Sequence, residues 1–255
     1  MISCKLQGGL CNQMFQIAAA HALALRNNDV SGFNIDVCYT PQQGNPANYY
    51  KNNIFKNIKD VKGYPFKNYY NETGFAYREI PYNADLLLNG SFQSDKFFKD
   101  FKNEIINLFH LDPNHINLIK KVIGFGSRPY TAVHVRRGDY LNNPSFHQPC
   151  DIQYFNRAME IIGESNFIFL SDDMDWVKTN FSGNNIIYSP FTDDLSDFLL
   201  MTICDNNIIA NSSFSWWGAY LNSTPDNKVI APIQWFGPSG HQDTQDVIPE
   251  NWLKI

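Results

Sequence analysis

Residues 134–139 place His134, Arg136, Arg137 and Asp139 at the end of the apolar run in TAVHVRRGDYL. Two adjacent guanidinium groups are costly to bury without partners, so they face solvent or hold something negative. A guanidinium grips phosphate oxygens in a bidentate fork and keeps its charge at any working pH. Neighbouring side chains on a strand point to opposite faces, so Arg136 and Arg137 serve one ligand only if the strand has already ended, and Gly138 suits a turn there. Two readings are open. Either one arginine meets a phosphate while Asp139 ties down the other, or the cluster is an ordinary strand-end salt-bridge network. His134 shares a face with Ala132 and Arg136, away from Val133 and Val135. It reads as a hydrogen-bonded core residue or, beside an arginine, as a reader of a nucleotide edge.

Three other clusters have chemistry of their own. In SDDMDW, Asp173-x-Asp175 has the form of the D-x-D pair that holds Mn²⁺ under a pyrophosphate in some sugar-nucleotide transferases. The alternative is that Ser171 or Asp172 caps the following helix and the acids suit its N-terminal dipole. Two arginines also make a metal redundant for neutralising a diphosphate, so no metal is expected. In NSSFSWWGAYL, Ser212 and Ser213 stand at a helix start, where free N–H groups and hydroxyls make an anion site; plain N-capping is compatible with that role. In GGLCNQ, Gly8-Gly9 lets the backbone approach a ligand, with Asn12 and Gln13 as hydrogen-bonding side chains. The G-x-G-x-x-G dinucleotide fingerprint is missing.

The elements that must position these residues alternate regularly in the second half of the chain. Helix 151–163, strand 166–170, helix 173–181, strand 184–189, helix 193–204, strand 206–210, helix 213–221 and strand 229–232 follow the strand holding His134. Such spacing means parallel βαβ units. The N-terminal stretch reads as strand, Gly-rich turn and helix, with SGFNIDV as a further strand and helical patterns at 94–110 and 113–122. Residues 40–85, rich in Asn, Tyr, Pro and Gly, predict irregular loops and short strands. The organisation expected is two α/β lobes divided within 111–130. All four polar clusters fall beyond carboxyl ends of strands, where parallel sheets bind ligands, and this predicts a cleft between the lobes.

Composition excludes several classes. The 255 residues carry a net charge of −5 without a sustained basic run, which argues against nucleic acid as a partner. The five cysteines are scattered and none forms a C-x-x-C pair, so reduced thiols are expected. MISCKLQGGL lacks the pattern of a signal peptide, and no apolar run approaches the ~18–20 residues that span a bilayer. A soluble, cytoplasmic protein is expected.

GGLCNQMFQIAAAHALA, GSFQSDKFF, HVRRGDY, FLSDDMDW and NSSFSWWGAYLN stand in the order found in bacterial α-1,2-fucosyltransferases. The chain resembles that family from about residue 4 to residue 222, and H-x-R-R-x-D together with N-S-S-F-S-W-W-G is a specific combination. The resemblance implies a GT-B-type α/β fold of two Rossmann-like lobes, residues 1–115 on the acceptor side and 116–255 on the GDP-fucose side. It further implies GDP-β-L-fucose as donor, inversion to an α-L-fucoside at O2 of a terminal β-galactose, and no metal or cofactor. Surface polysaccharide of the O-antigen kind is the implied product, with membrane contact only through a lipid-linked acceptor. By the same resemblance Arg136 contacts the β-phosphate, Arg137 and Asp139 hold the loop, and His134 lies near guanine. Asp197, eight residues before Asp205, pairs with guanine. Ser212 or Ser213 binds phosphate, and Gly9, Asn12 and Gln13 lie toward the fucose or its leaving oxygens.

Two positions depart from the pattern. Cys11 replaces the last glycine of GGLGNQ, which matters if that position needs a positive φ. In α-1,6-linking relatives a glutamate base lies ten residues beyond the motif histidine, where this chain has Pro144. His147, Asp139 and His21 are the candidate bases, and a dissociative reaction in which the departing diphosphate takes the proton is the alternative. Two rivals stand beside this reading: a related transferase with another donor or linkage, and a silent GDP- or sugar-binding protein.

Overall fold

A computed structural model describes residues 1–40 and 45–255. The chain forms two compact units, Met1–Asp112 with Asp243–Pro249 and Pro113–Gln242 with Glu250–Ile255. The expected division is a single one, at 115/116; the return of Asp243–Pro249 to the first unit is an addition that no local pattern marks.

In the first unit β1 (Ile2–Cys4), β2 (Asn68–Asn71) and β3 (Leu86–Asn89) form a parallel sheet in the order β1-β3-β2. Isolated bridges from Ile2 to Ser31 and from Phe33 to Asp60 extend it. SGFNIDV therefore supplies bridge residues rather than a full strand. Asn34 Oδ1 accepts from the Asp36 N–H at 3.3 Å, a local bond that turns the chain away from the ladder. Helix α1 (Leu10–Arg26) buries Met14, Phe15, Ile17 and Ala18 completely. The expected helix at 94–110 is broken into 3-10 turns at Asp95–Phe97 and Lys99–Phe101 and a short α2 (Lys102–Leu108). The break falls at Phe98, whose φ of −141° leaves the helical region. Consecutive residues of an α-helix point about 100° apart, and the break lets Phe97 and Phe98 both reach the core.

The second unit begins with α3 (Pro113–Ile123) and continues as β4 (Tyr130–Val135), α4 (Ile152–Ile162), β5 (Asn166–Ser171), α5 (Met174–Asn180), β6 (Ile186–Tyr188) and α6 (Asp194–Met201). It ends with β7 (Asn206–Ile208), α7 (Ser213–Tyr220), β8 (Lys228–Ala231) and β9 (Leu253–Lys254). All six strands are parallel, in the order β6-β5-β4-β7-β8-β9. Numbered within the unit, this is the 3-2-1-4-5-6 order of a doubly wound sheet, with its reversal between β4 and β7. Val133 and Val135 face the core formed with Phe155, Phe169, Phe181 and Ile208. On the other face, Trp216 and Trp217 are fully buried, and Trp216 stacks on Tyr220 with centroids 4.7 Å apart. The tryptophan pair therefore belongs to the core.

Candidate active site

The reversal between β4 and β7 is where a doubly wound sheet opens a crevice at its carboxyl edge. Residues 136–139 follow β4 there, and Asn211–Ser213 follow β7. Val135 pairs with Ser171 in the ladder, so the next residues, Arg136 and Asp172, emerge side by side. Asp172 Oδ2 meets Arg136 Nη1 at 3.0 Å, and Asp139 Oδ1 meets Arg136 Nη2 at 2.7 Å. The other Asp172 oxygen accepts from the Arg137 backbone N–H at 2.9 Å. Arg137 Nε pairs with Asp173 at 3.1 Å, and its guanidinium lies 4.2 Å from the Trp176 ring centroid.

The two arginines thus diverge, as alternation along β4 requires. Asp139 pairs with Arg136, the arginine expected to meet phosphate, and not with the other arginine as the sequence predicts. The 3-10 turn at Asp139–Asn142 brings the carboxylate back over the residue three positions earlier. Gly138 is required by the same packing, since a Cβ there would lie 2.6 Å from Asp172 Oδ2. The helix-cap assignment also changes. Asp173 caps α5 by accepting from the Trp176 N–H at 3.2 Å, while Ser171 Oγ accepts from the Asp173 N–H at 2.9 Å. Asp173 is therefore engaged as both cap and ion-pair partner. Among the described residues no group of three or more His, Cys, Asp or Glu side chains gathers as a metal-ligand set.

His134 is buried, with its ring 5.2 Å from that of Phe214 at the start of α7. Burial, reinforced by the charge of Arg136, lowers its pKa to about 3, so the imidazole is neutral. Its Nδ1 has no hydrogen-bond partner among the described residues. Phe214 meets Phe198 edge-on at 5.6 Å, and Asp197 precedes Phe198 on α6. Asp197 accepts from the Ser189 hydroxyl beyond the end of β6. Burial, with the nearby Asp193 and Asp194 charges adding to it, raises the Asp197 carboxyl to about 6 against the pull of that bond.

Ser212 opens α7 without a side-chain cap bond. Its hydroxyl and the first N–H groups of the helix are the donors a helix start offers an anion. Asn211 instead braces the backbone, its amide donating at 2.9 Å to both Gln148 O and Trp235 O. The Tyr140 hydroxyl donates at 2.8 Å to Asn211 O and so ties the loop after β4 to the loop after β7.

In the first unit the Gly-rich loop also follows a carboxyl strand end. Gly8 has φ +76°, and a Cβ on it would lie 2.5 Å from Asn12 Nδ2. Gly9 precedes α1 with φ −71°. Asn12 Oδ1 accepts from Gln93 Nε2 at 3.0 Å, joining this loop to the segment after β3. Gln13 is fully buried and donates to Gly8 O at 2.9 Å and Asn45 O at 2.7 Å, which makes it a brace of the loop. Cys11 lies inside α1 and is buried, so the departure there needs no unusual φ.

The model of the family described as glycosyl transferase family 11 matches residues 1–255. The chain belongs to glycosyl transferase family 11. It is similar to the O-antigen biosynthesis glycosyltransferase WbnK of Escherichia coli, at 31% identity over 100% of both chains. It is 28% identical to an alpha-1,2-colitosyltransferase of Escherichia coli, over 100% of this chain and 99% of that one. It is also 28% identical to the galactoside 2-alpha-L-fucosyltransferase SEC1 of Bos taurus, over 84% of this chain and 62% of that protein. Among solved structures, the fucosyltransferase NodZ from Bradyrhizobium shares the fold with a TM-score of 0.54 at 15% identity, covering 86% of this chain and 91% of that chain.

Within this family 11 chain, the second unit brings together His134, Arg136, Arg137, Asp139, Ser212 and Ser213 at one sheet edge. Asp197 joins them through Phe198 and Phe214. Asp172, Trp176 and Tyr140, whose ring centroid lies 5.6 Å from the Arg136 guanidinium, are partners of the arginines that the motif alone does not reveal. Strand register reveals Asp172, because pairing Val135 with Ser171 puts the next residue of each strand side by side. His147 stacks on Tyr140 with centroids 4.6 Å apart and rings 15° from parallel. Burial lowers its pKa, so its imidazole is available in neutral form. His21 is corrected as a candidate base. It lies within α1, its Nδ1 2.7 Å from the Ser31 hydroxyl and ~16 Å along the helix from the Gly-rich loop.

Proposed function

We propose that this chain transfers L-fucose from GDP-β-L-fucose to O2 of a terminal β-galactoside, inverting the anomeric centre, in the assembly of an O-antigen-type surface polysaccharide. The observation that carries the reading is the position of H-x-R-R-x-D and N-S-S at the reversal of the second sheet, in a chain of family 11. The two units are read as the Rossmann-like lobes of a GT-B-type transferase, the second holding GDP-fucose and the first on the acceptor side.

As the glycosidic bond breaks, negative charge builds on the β-phosphate. Arg136, with the Ser212 and Ser213 hydroxyls and the first N–H groups of α7, stabilises that charge more in the transition state than in the ground state. Arg136 enters this role already oriented. Asp139 is the more exposed of its two partners, at 62% against 28% for Asp172, and is the one a phosphate replaces. Arg137 holds the loop through Asp173. Asp197, ionised, accepts from N1–H and the exocyclic N–H₂ of guanine, and neutral His134 lies beside the base. Gly9 and Asn12 lie toward the fucose. His147 takes the acceptor proton, its imidazole held neutral by burial and the nearby Asp139 charge favouring its protonated form. Neutralisation by guanidinium and helix-end donors makes a metal unnecessary.

Among the described residues no helix is long and apolar enough to cross a membrane. The cytoplasmic enzyme meets the membrane only through a lipid-linked acceptor. The full-length likeness to a colitosyltransferase favours one second reading, in which the sugar transferred is colitose. The deciding assay incubates the protein with GDP-fucose and β-galactosides in excess EDTA, followed by linkage analysis. Fucose α-linked to O2 is expected. No transfer, transfer to another position, or activity restored only by Mn²⁺ refutes the corresponding part of the proposal, and the colitosyl nucleotide offered in parallel decides the second reading.

A further inference from the structure

Of the motifs that carry the family resemblance, GSFQSDKFF has no part in the mechanism proposed above. It begins at the carboxyl edge of the first sheet, where β1, β2 and β3 all end because they run parallel. We infer that Gln93 of this motif is the positioning residue for Asn12, delivered to it by a turn that the Glu72 carboxylate holds. The inference rests on the proposed function, in which Asn12 lies toward the fucose.

The turn follows from its residues. Glu72 comes directly after β2, and its N–H donates to Asn89 O at 2.9 Å, so it lies beside the residue that ends β3. Its carboxylate accepts from the Ser91 N–H at 2.6 Å and from the Phe92 N–H at 3.1 Å. Gly90 makes room for this approach, since a Cβ there would lie 2.5 Å from Glu72 Cβ and 2.6 Å from Glu72 Oε2. Phe92 has φ +51°, a region that a bulky side chain occupies only when its surroundings fix it. Here they do: the Glu72 carboxylate holds its N–H, and its ring is fully buried and edge-on to Phe97 at 5.3 Å. The Ser94 N–H then donates to Phe92 O at 2.8 Å, which closes the backbone around Gln93.

A side chain carried on a closed turn reaches its partner with little further loss of freedom. Gln93 Nε2 donates to Asn12 Oδ1 at 3.0 Å, and that bond leaves the Asn12 Nδ2 hydrogens for the donor sugar. A second tie, from Gln7 Nε2 to Gly90 O at 3.4 Å, joins the same turn to the residue that precedes the Gly-rich loop. Glu72 itself is not placed for proton transfer, because both of its oxygens are engaged by the turn.

A double-mutant cycle tests the coupling. It is read as kcat and KM for GDP-fucose with a β-galactoside acceptor, with GDP binding and thermal unfolding measured on each variant. Gln93→Ala is expected to lower kcat about tenfold or more, as a misplaced positioning group does, while the Kd for GDP stays unchanged. Gln93→Glu, of nearly the same size but without the donor N–H, should be impaired likewise. Asn12→Ala and Asn12→Ala/Gln93→Ala should be equally slow, since Gln93 acts only through Asn12. Glu72→Ala should behave as Gln93→Ala does, whereas Glu72→Gln, which keeps an oxygen for the two N–H groups, should retain most of the activity. Full activity of folded Gln93→Ala, or losses that simply add in the double variant, overturns the inference alone. Glu72→Gln as impaired as Glu72→Ala removes Glu72 as the holder of the turn. Full activity of Asn12→Ala takes Asn12 away from the fucose and overturns the inference together with that part of the proposed function. No transfer by the wild type overturns the proposed function and this inference with it.

Discussion

Arg136 is held from two sides before any donor arrives, and its geometry carries as much as its charge. Lysine keeps a positive point charge but has no planar fork to span Asp172 and a phosphate together. Arg136→Lys is therefore expected to lower turnover at least ~10²-fold, the effect of losing one oriented donor, with thermal stability little changed. Near-normal kcat in the folded variant would remove the phosphate role. Asp197 carries a different kind of information, because its carboxyl, ordinarily at 3.8, stands at about 6 in the fold. Between those values the native state keeps a proton that the unfolded state has released. The stability of the free protein therefore falls as pH rises through that window. In the proposed site guanine meets the ionised form, so GDP affinity should be full above about pH 7 and decline as pH drops through 6. Adenine lacks the donor pair and leaves the carboxylate unsatisfied, so ADP should give no thermal protection where GDP does. Asp197→Asn should raise the melting temperature of the free protein near neutral pH, with the gap closing toward about pH 4, and should erase the preference for GDP over ADP. Unfolding curves with each nucleotide across pH check both outcomes, and equal protection by ADP and GDP in the wild type would move guanine recognition elsewhere.

At the level of elements, the sequence was most legible where local periodicity and tertiary demand agree. The alternation in TAVHVRR assigns Val133 and Val135 to one face and His134 to the other, and the core contacts have that arrangement. The βαβ spacing of the second half gives every strand from β4 to β8. Legibility fails where partners are distant or local bonds compete. β3 is a four-residue strand between two others that no local pattern marks, and β9 has only two residues. Phe97 and Phe98 lie in a helical pattern but are both drawn into the core, so burial overrides helix periodicity. SDDMDW predicts Ser171 or Asp172 as the cap of α5, whereas Asp173 is the cap and Asp172 holds the arginines. The role of Asp172 depends on the register of β4 against β5, a pairing set by residues some 35 positions apart. Gly138 is explained by the same register, because a side chain there would occupy the space of the Asp172 carboxylate.

At the scale of the molecule, two units with separate parallel sheets each place a glycine-containing loop at a carboxyl edge, and the groups proposed to hold the donor are unequally divided between them. The first unit is completed by Asp243–Pro249, where Asp243 Oδ2 accepts from the Phe75 and Ala76 N–H groups at 2.6 and 3.2 Å. Asp246 accepts from the Tyr77 N–H at 2.9 Å and pairs with Lys96 at 2.6 Å, while Val247 is fully buried. These contacts join residues about 150–170 positions apart, which is why the sequence reading drew a single boundary. Every group proposed to touch GDP, namely Arg136, His134, Asp197, Ser212 and Ser213, lies in the second unit. GDP without its sugar should therefore slow amide exchange in residues 136–140, 196–198 and 212–215, and leave residues 8–13 near their free rate. A ligand held at a hundred times its Kd stabilises the bound form by ~2.7 kcal/mol, so amides that exchange only from the ligand-free opened state should slow about 100-fold. Hydrogen exchange read by mass spectrometry, with ADP as the control, resolves these segments. Protection centred on residues 8–13, with none at 136–140, would reverse the assignment of the donor and return the arginine pair to the salt-bridge network that the sequence also allowed.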